Sequence, residues 1–209
     1  ATASSGCEMF CEKPNRTERE QPLADCTRYN RHHTARRRVL AIMDLDIYLP
    51  DTSVFVEAAR CYYHFDFAPS FWDALLAHAR QGNVGSIDKV LAELLRGKDR
   101  LARWASSKFV QRVRFYQEKA SPGEYARVVQ FVCQQAHYTD NAKRHFADAH
   151  NADAWLVAFA LAYGDTIVTQ ETSAPQSKRV VKIPDVCQHF NIRWVDTFTM
   201  MRELGIQLQ

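Results

Sequence analysis

"IYLPDTSVFVEAAR", residues 47–60, decides how the rest of the chain is read. A short apolar run ends at Asp51, a hydroxyl pair follows, and from Val54 the apolar residues recur at helical spacing. A buried strand that gives way to a helix predicts a βα unit, with the acid at the carboxyl end of the strand. Pro50 suits only the last position of such a strand, because it cannot donate to a ladder.

The same alternation runs outward from this stretch. "PSFWDALLAHARQG" (69–82) reads as an amphipathic helix opened by Pro and closed by Gly. "VGSI" (84–87) reads as a strand, and "DKVLAELLRG" (88–97) as a helix with Asp at its start and Gly at its end. Helical text continues through "RLARWASS" (100–107) and "PGEYARVVQFVCQQA" (122–136). "ADAWLVAFALAYG" (152–164) is apolar all round and predicts a buried helix, followed by a strand at "TIVT" (166–169). "VVKI", "PDVCQHF", "IRWV" and "TFTMMRELG" add further strand and helix text up to residue 205. Short apolar strands alternating with helices predict an α/β fold: three layers, a short and mostly parallel central sheet, and many helices.

Composition narrows the function. No apolar stretch is long enough to span a bilayer, and residues 1–42 carry no apolar signal region, so a cytoplasmic protein is expected. The six cysteines are scattered without zinc-type pairing, which predicts free thiols. The net charge of +3 lies in residues 1–42, with eight Lys/Arg and five Asp/Glu, and leaves 19 of each sign in 43–209. Nucleic-acid affinity would therefore come from local patches. Residues 1–42 lack hydrophobic periodicity and end in "RYNRHHTARRRVL", as a disordered or non-native basic extension would. Met43 is then the expected initiator, with one domain over 43–209.

Four acids fall where ligands of parallel sheets bind, beyond the carboxyl ends of the strands. Asp51 follows one strand, Glu171 stands two residues after "TIVT", Asp153 opens the buried helix, and Glu93 interrupts the apolar face "VLAELL". Each has a plainer explanation: Asp51 and Asp153 as helix caps, Glu93 on a solvated shoulder, Glu171 in a loop. Gathered together, two carboxylates about 4 Å apart repel by roughly 4 kcal/mol at an effective dielectric near 20. A hard divalent cation, Mg²⁺ or Mn²⁺, resolves that repulsion.

"DTSVF", "AEL", "ADAWLVAFA" and "TIVTQE", in that order, resemble the PIN-domain nucleases, over residues 47 to about 205. "YYHFDFAPSFWDAL" and "KIPDVCQHFNIRWVDTFTMM" resemble its DUF4411 branch. The resemblance implies a Rossmann-like fold, a Mg²⁺- or Mn²⁺-dependent endoribonuclease cutting single-stranded RNA, and a toxin held by a cognate antitoxin. A homodimer is also implied. Asp51, Glu93 and Asp153 match the family's first three acids, with Ser53 the small polar residue after the first. Thr169 and Glu171 match its "T-x-D" pair, with Glu in place of Asp. The four acids are then the catalytic metal ligands, and Ser53 and Thr169 support them. Lys178, Arg179 and Lys182, which follow Glu171, are candidate phosphate contacts, and Glu57 either supports the site or faces water.

Two other readings stand beside this one. A catalytically weak RNA-binding or antitoxin-sequestered PIN-like module accounts for the Glu at 171. "MDLDIYLPD" resembles the haloacid-dehalogenase phosphatases, with Asp44 as covalent nucleophile and Asp46 beside it, but the Gly-Thr expected after that pair is replaced by Ile47 and Tyr48.

Overall fold

A computed structural model describes residues 47–110, 114–116 and 122–208. The basic extension, Asp44 and Asp46 lie outside the described residues, and so does the boundary expected at 42–43.

The strands are short. They comprise β1 (Tyr48–Pro50), β2 (Gly85–Ile87), β3 (Arg114–Tyr116), β4 (Thr166–Val168) and β5 (Trp194–Val195). Every residue of β1, β2 and β4 is buried. Successive strand residues point to opposite faces, so both faces of this sheet are covered. Among the described residues all ladders are parallel. β4 lies between β1 and β5, and β2 pairs with β3. Among the described residues a single bridge, Tyr48 opposite Val84, joins the two groups, with the Tyr48 N–H donating to the Asn83 carbonyl at 2.9 Å. The composite order is therefore β3-β2-β1-β4-β5.

Pro50 explains why the β1–β2 seam stops at one bridge. Bonds along a parallel strand recur at every second residue, so the next donor toward β2 would be residue 50, which has no N–H. On the other side the ladder continues, with Asp51 N–H reaching the Val168 carbonyl at 2.9 Å.

The helices follow the punctuation in the sequence. Helix α1 (Thr52–Glu57) runs into a π-helical turn at Ala58–Tyr62. Pro69 opens α2 (Pro69–Gln81), and Gly82 closes it at φ 87°, where a side chain would be strained. Next come α3 (Asp88–Arg96) and α4 (Arg100–Trp104), the latter continuing into a second π-helical turn, Ala105–Phe109. α5 (Pro122–Gln134) and α6 (Asp140–Phe146) precede α7 (Ala152–Tyr163), whose residues from Leu156 to Ala160 are all buried. α8 (Ile183–Phe190) and α9 (Thr197–Glu203) complete the fold. Among the described residues no helix is long and apolar enough to cross a membrane.

An aromatic cluster fixes α4 against α1 and α2. Phe55 meets Phe109 edge-on at 5.0 Å, and Trp104 meets Trp72 at 4.7 Å. Phe55 and Phe109 are fully buried, so truncating either to Ala would cost about 3–5 kcal/mol.

The structure departs from the sequence reading in three places. "VVKI" is no strand: its first three residues are irregular, and Ile183 begins α8. Strand β3 and helix α6 have no counterpart in the sequence reading. β3 has only three residues, and α6 ("DNAKRHF") buries just Ala142 and Phe146, too few to show a period. Cys61, Cys133 and Cys187 form no disulfide, and Cys7, Cys11 and Cys26 lie outside the described residues.

Candidate active site at the carboxyl edge of the sheet

From β1 the chain moves to β2 and β3 on one side, then crosses to β4 and β5 on the other. The order reverses between β1 and β4, where open α/β sheets bind ligands. Pairing Pro50 with Val168 sets Asp51 and Thr169 side by side at that crevice.

Asp51 caps α1, with Oδ1 accepting from Val54 N–H at 3.0 Å. The capping explanation is correct, and it accounts for only part of the carboxylate. Ser53 Oγ donates to Oδ1 at 2.7 Å, and Thr169 Oγ1 to Oδ2 at 2.7 Å. Ser53 Oγ accepts in turn from Gln170 N–H at 3.1 Å, and Thr169 Oγ1 from Glu171 N–H at 3.1 Å. Asp51 is 5% exposed. Burial pushes its pKa up to about 6, against the pull of these hydrogen bonds, and the charge of Glu171 adds to the rise.

Glu93 is half-buried and joins two elements. Thr52 Oγ1 donates to its Oε2, and Ala152 N–H, in the first turn of α7, donates to its Oε1 at 2.9 Å. The solvated-shoulder reading of Glu93 is therefore wrong, because α3 turns this side chain toward α7. The cap of α7 is Asn151, whose Oδ1 accepts from Asp153 N–H at 3.1 Å. Asp153 is thus released from capping. Its carboxyl is pushed up to about 7, first by burial and then by the charges of Glu171, Glu93 and Asp51, while a hydrogen bond from Asn151 opposes the shift. The four acids lie within electrostatic reach of one another.

Glu171 has partners of its own. Lys182 Nζ lies 2.9 Å from Oε1, and Ile183 N–H, at the start of α8, donates to Oε2 at 2.9 Å. Both residues of this ion pair are largely shielded from solvent, with side-chain exposures of 30% and 21%. Lys182 therefore neutralises an acid, while Lys178 and Arg179 remain exposed. The Lys178 carbonyl accepts from Thr139 N–H at 2.8 Å, which ties this loop to the start of α6. Glu57 is half-buried on α1 and makes no side-chain hydrogen bond or ion pair among the described residues.

Each acid faces its own partners. Among the described residues no three His, Cys, Asp or Glu side chains are gathered closely enough to hold a metal ion as they stand. The donor chemistry still fits a hard divalent cation: every acid offers oxygen, and beyond the effect of burial the charges of Glu171, Glu93 and Asp51 oppose ionisation of Asp153. Sequence reasoning missed Thr52 and Asn151. Thr52 stands in the same "DTS" as Ser53, but its contact with Glu93 spans 41 residues and depends on the rotation of α3.

No curated protein matches the chain. Among solved structures, a crystal structure of VapBC2 from Rickettsia felis bound to a DNA fragment from their promoter is similar at 17% identity. That match covers 72% of this chain and 98% of the other, with a TM-score of 0.42, too loose a likeness to carry a functional argument. Residues 48–208 match the model of a family described as "Domain of unknown function (DUF4411)", which takes in both βα halves and all four acids. With well over half its length inside that match, the chain belongs to the DUF4411 family.

Proposed function

We propose that this protein is a PIN-type ribonuclease dependent on Mg²⁺ or Mn²⁺, that it hydrolyses phosphodiester bonds in single-stranded RNA, and that it is the toxin of a toxin–antitoxin pair. One observation carries the chemistry: four acids at the switch point of the sheet, Asp51 buried and the other three partly so, with Asp153 pushed up to about 7 by burial and three neighbouring carboxylates. The motifs in their PIN-like order support the substrate class and the antitoxin partner.

Asp51 and Asp153 are the residues proposed to hold the ion, with Glu93 and Glu171 assisting. A bound divalent cation supplies water activation and offsets charge developing on the phosphate. Ser53 and Thr169 orient Asp51 so that its carboxylate keeps one direction, and Thr52 does the same for Glu93. Hydrolysis breaks the bond from phosphorus to the 3′ oxygen, which leaves with a proton, and water supplies the oxygen of a 5′-phosphate. Lys178 and Arg179 are proposed to contact the RNA backbone, with Lys182 turned to Glu171.

The test is cleavage of single-stranded RNA with Mn²⁺ and with EDTA, comparing wild type with Asp51→Asn. Cleavage in EDTA, or equal cleavage by the variant, refutes the site.

A second reading is favoured by the engagement of Glu171 with Lys182 and Ile183: a catalytically weak RNA-binding module under antitoxin control. Binding without Mn²⁺-dependent cleavage would select it.

A further inference from the structure

A hollow of about 270 Å³ lies between α2 and α4, and none of the four acids lines it. Phe65, Trp72 and Trp104 form its aromatic wall, and Arg100, Arg103 and Lys108 surround it, with Asp73 the one carboxylate in the lining. Phe65 stacks on Trp72 at 4.0 Å, and the Arg100 guanidinium lies 5.2 Å from the Phe65 ring centre. Arg100 also stands 3.9 Å from Asp66. Arg103 and Lys108 are exposed and make no ion pair among the described residues. Trp104 is buried, and its indole N–H has no acceptor among the described residues.

Exposed cations succeed one another along the chain between Glu93 and this hollow. Arg96, at the end of the helix that carries Glu93, donates to the carbonyl of His150, just before the Asn151 cap and Asp153. Lys98, Arg100, Arg103 and Lys108 follow, all exposed, while Asp99 between them caps α4 through a 3.0 Å bond to Ala102 N–H.

Size and chemistry together define the occupant. Pockets that enclose a whole small ligand begin near ~300 Å³, so a hollow below that size suits one unit of a longer chain. Trp72 and Trp104 are buried behind the half-buried Phe65, so the exposed cations match a phosphate backbone and Phe65 is the ring that a base can meet. We infer that the α2–α4 hollow is a binding site for one nucleotide of single-stranded RNA outside the cleavage site. The inference rests on the ribonuclease reading for the identity of the strand and adds a second point of grip.

The experiment separates the two. Binding of a labelled single-stranded oligouridine is measured by fluorescence anisotropy in EDTA, so that no cleavage intervenes, for wild type, Arg103→Glu with Lys108→Glu, and the milder Arg103→Gln with Lys108→Gln. Both double variants should keep the wild-type melting curve, because both side chains are exposed. The Glu pair should weaken binding at least tenfold, and the Gln pair should reduce the salt slope by about 1.4, at roughly 0.7 for each phosphate that is no longer neutralised. Unchanged affinity and slope in both variants overturn the site. An acidic peptide that displaces the RNA and loses affinity equally in the variants also overturns it, because it reassigns the hollow to acidic polymers in general. Absence of Mn²⁺-dependent cleavage in wild type strikes the ribonuclease reading and leaves this binding comparison intact.

Discussion

The chain makes the same junction twice. At "PDTSVF" and at "VDTFTM" a parallel strand ends, an Asp caps the next helix, and a Thr follows. Asp196 accepts from Thr199 N–H at 2.6 Å in an exposed setting, and its hydrogen bonds, that one foremost, hold its pKa below the ordinary carboxylate value. Asp51 caps in the same way, yet burial raises it to about 6. The threonines differ as well: Thr52 donates to Glu93, whereas the buried Thr197 hydroxyl has no partner among the described residues. Capping therefore accounts for an acid at each junction, while the cost of burying one beside other acids is peculiar to the first.

The sharpest test of this contrast is activity. Asp51→Asn keeps a capping oxygen and should lower Mn²⁺-dependent RNA cleavage by roughly 10²–10³-fold, the scale of losing one charge-stabilising group. Asp196→Asn should leave the rate unchanged, and comparable losses in the two variants would erase the distinction.

Stability against pH gives the next largest effect, with opposite signs at the two junctions. A raised carboxyl pKa means that the folded state holds the proton more tightly than the unfolded chain. Its stabilisation is present at low pH and fades as pH rises from the ordinary 3.8 to about 6 for Asp51, or to about 7 for Asp153. Thermal melts in EDTA should show Asp51→Asn and Asp153→Asn more stable than wild type at pH 8, on the order of 1–3 kcal/mol each, with the gap closing by pH 4. Asp196 is depressed, so its contribution is present above the ordinary carboxylate range and is lost as pH falls through its own value. In its exposed setting Asp196→Asn should destabilise at pH 7 by only a few tenths of a kcal/mol.

The threonines provide the finest comparison. Thr52→Val removes a donor from a half-buried carboxylate and should lower the unfolding free energy by about 0.5–1.5 kcal/mol in denaturant titrations at neutral pH. Thr197→Val replaces a hydroxyl without a partner and should be neutral or stabilising by up to about 1 kcal/mol. Equal losses would show that Thr197 has a partner after all.

How much of this was legible in the sequence depended on range. Asp51, Asp153 and Glu171 stand next to strand and helix ends, and those ends are written locally in Pro50, Gly164 and the β-branched runs. That α7 is capped by Asn151 and leaves Asp153 free was not legible, because either residue type caps well. The partners of Glu93 depended on the rotation of α3 and on contacts across 41 and 59 residues. "VVKI" looked like a strand because β-branched residues favour one, but Glu171 and Lys182 use this stretch to seat the start of α8.

Pro50 reaches beyond the strand it ends. Along one flank β1 shares a continuous ladder with β4; along the other it is moored to β2 at a single point, and proline forbids a second mooring. Asp51 travels with the first raft, and Glu93, on the helix that follows β2, with the other. Parting of the rafts at that point widens the gap between two like charges and leaves both remaining ladders whole. Deuterium should therefore enter first at the amide of Tyr48 and last at those of Ile167 and Thr169.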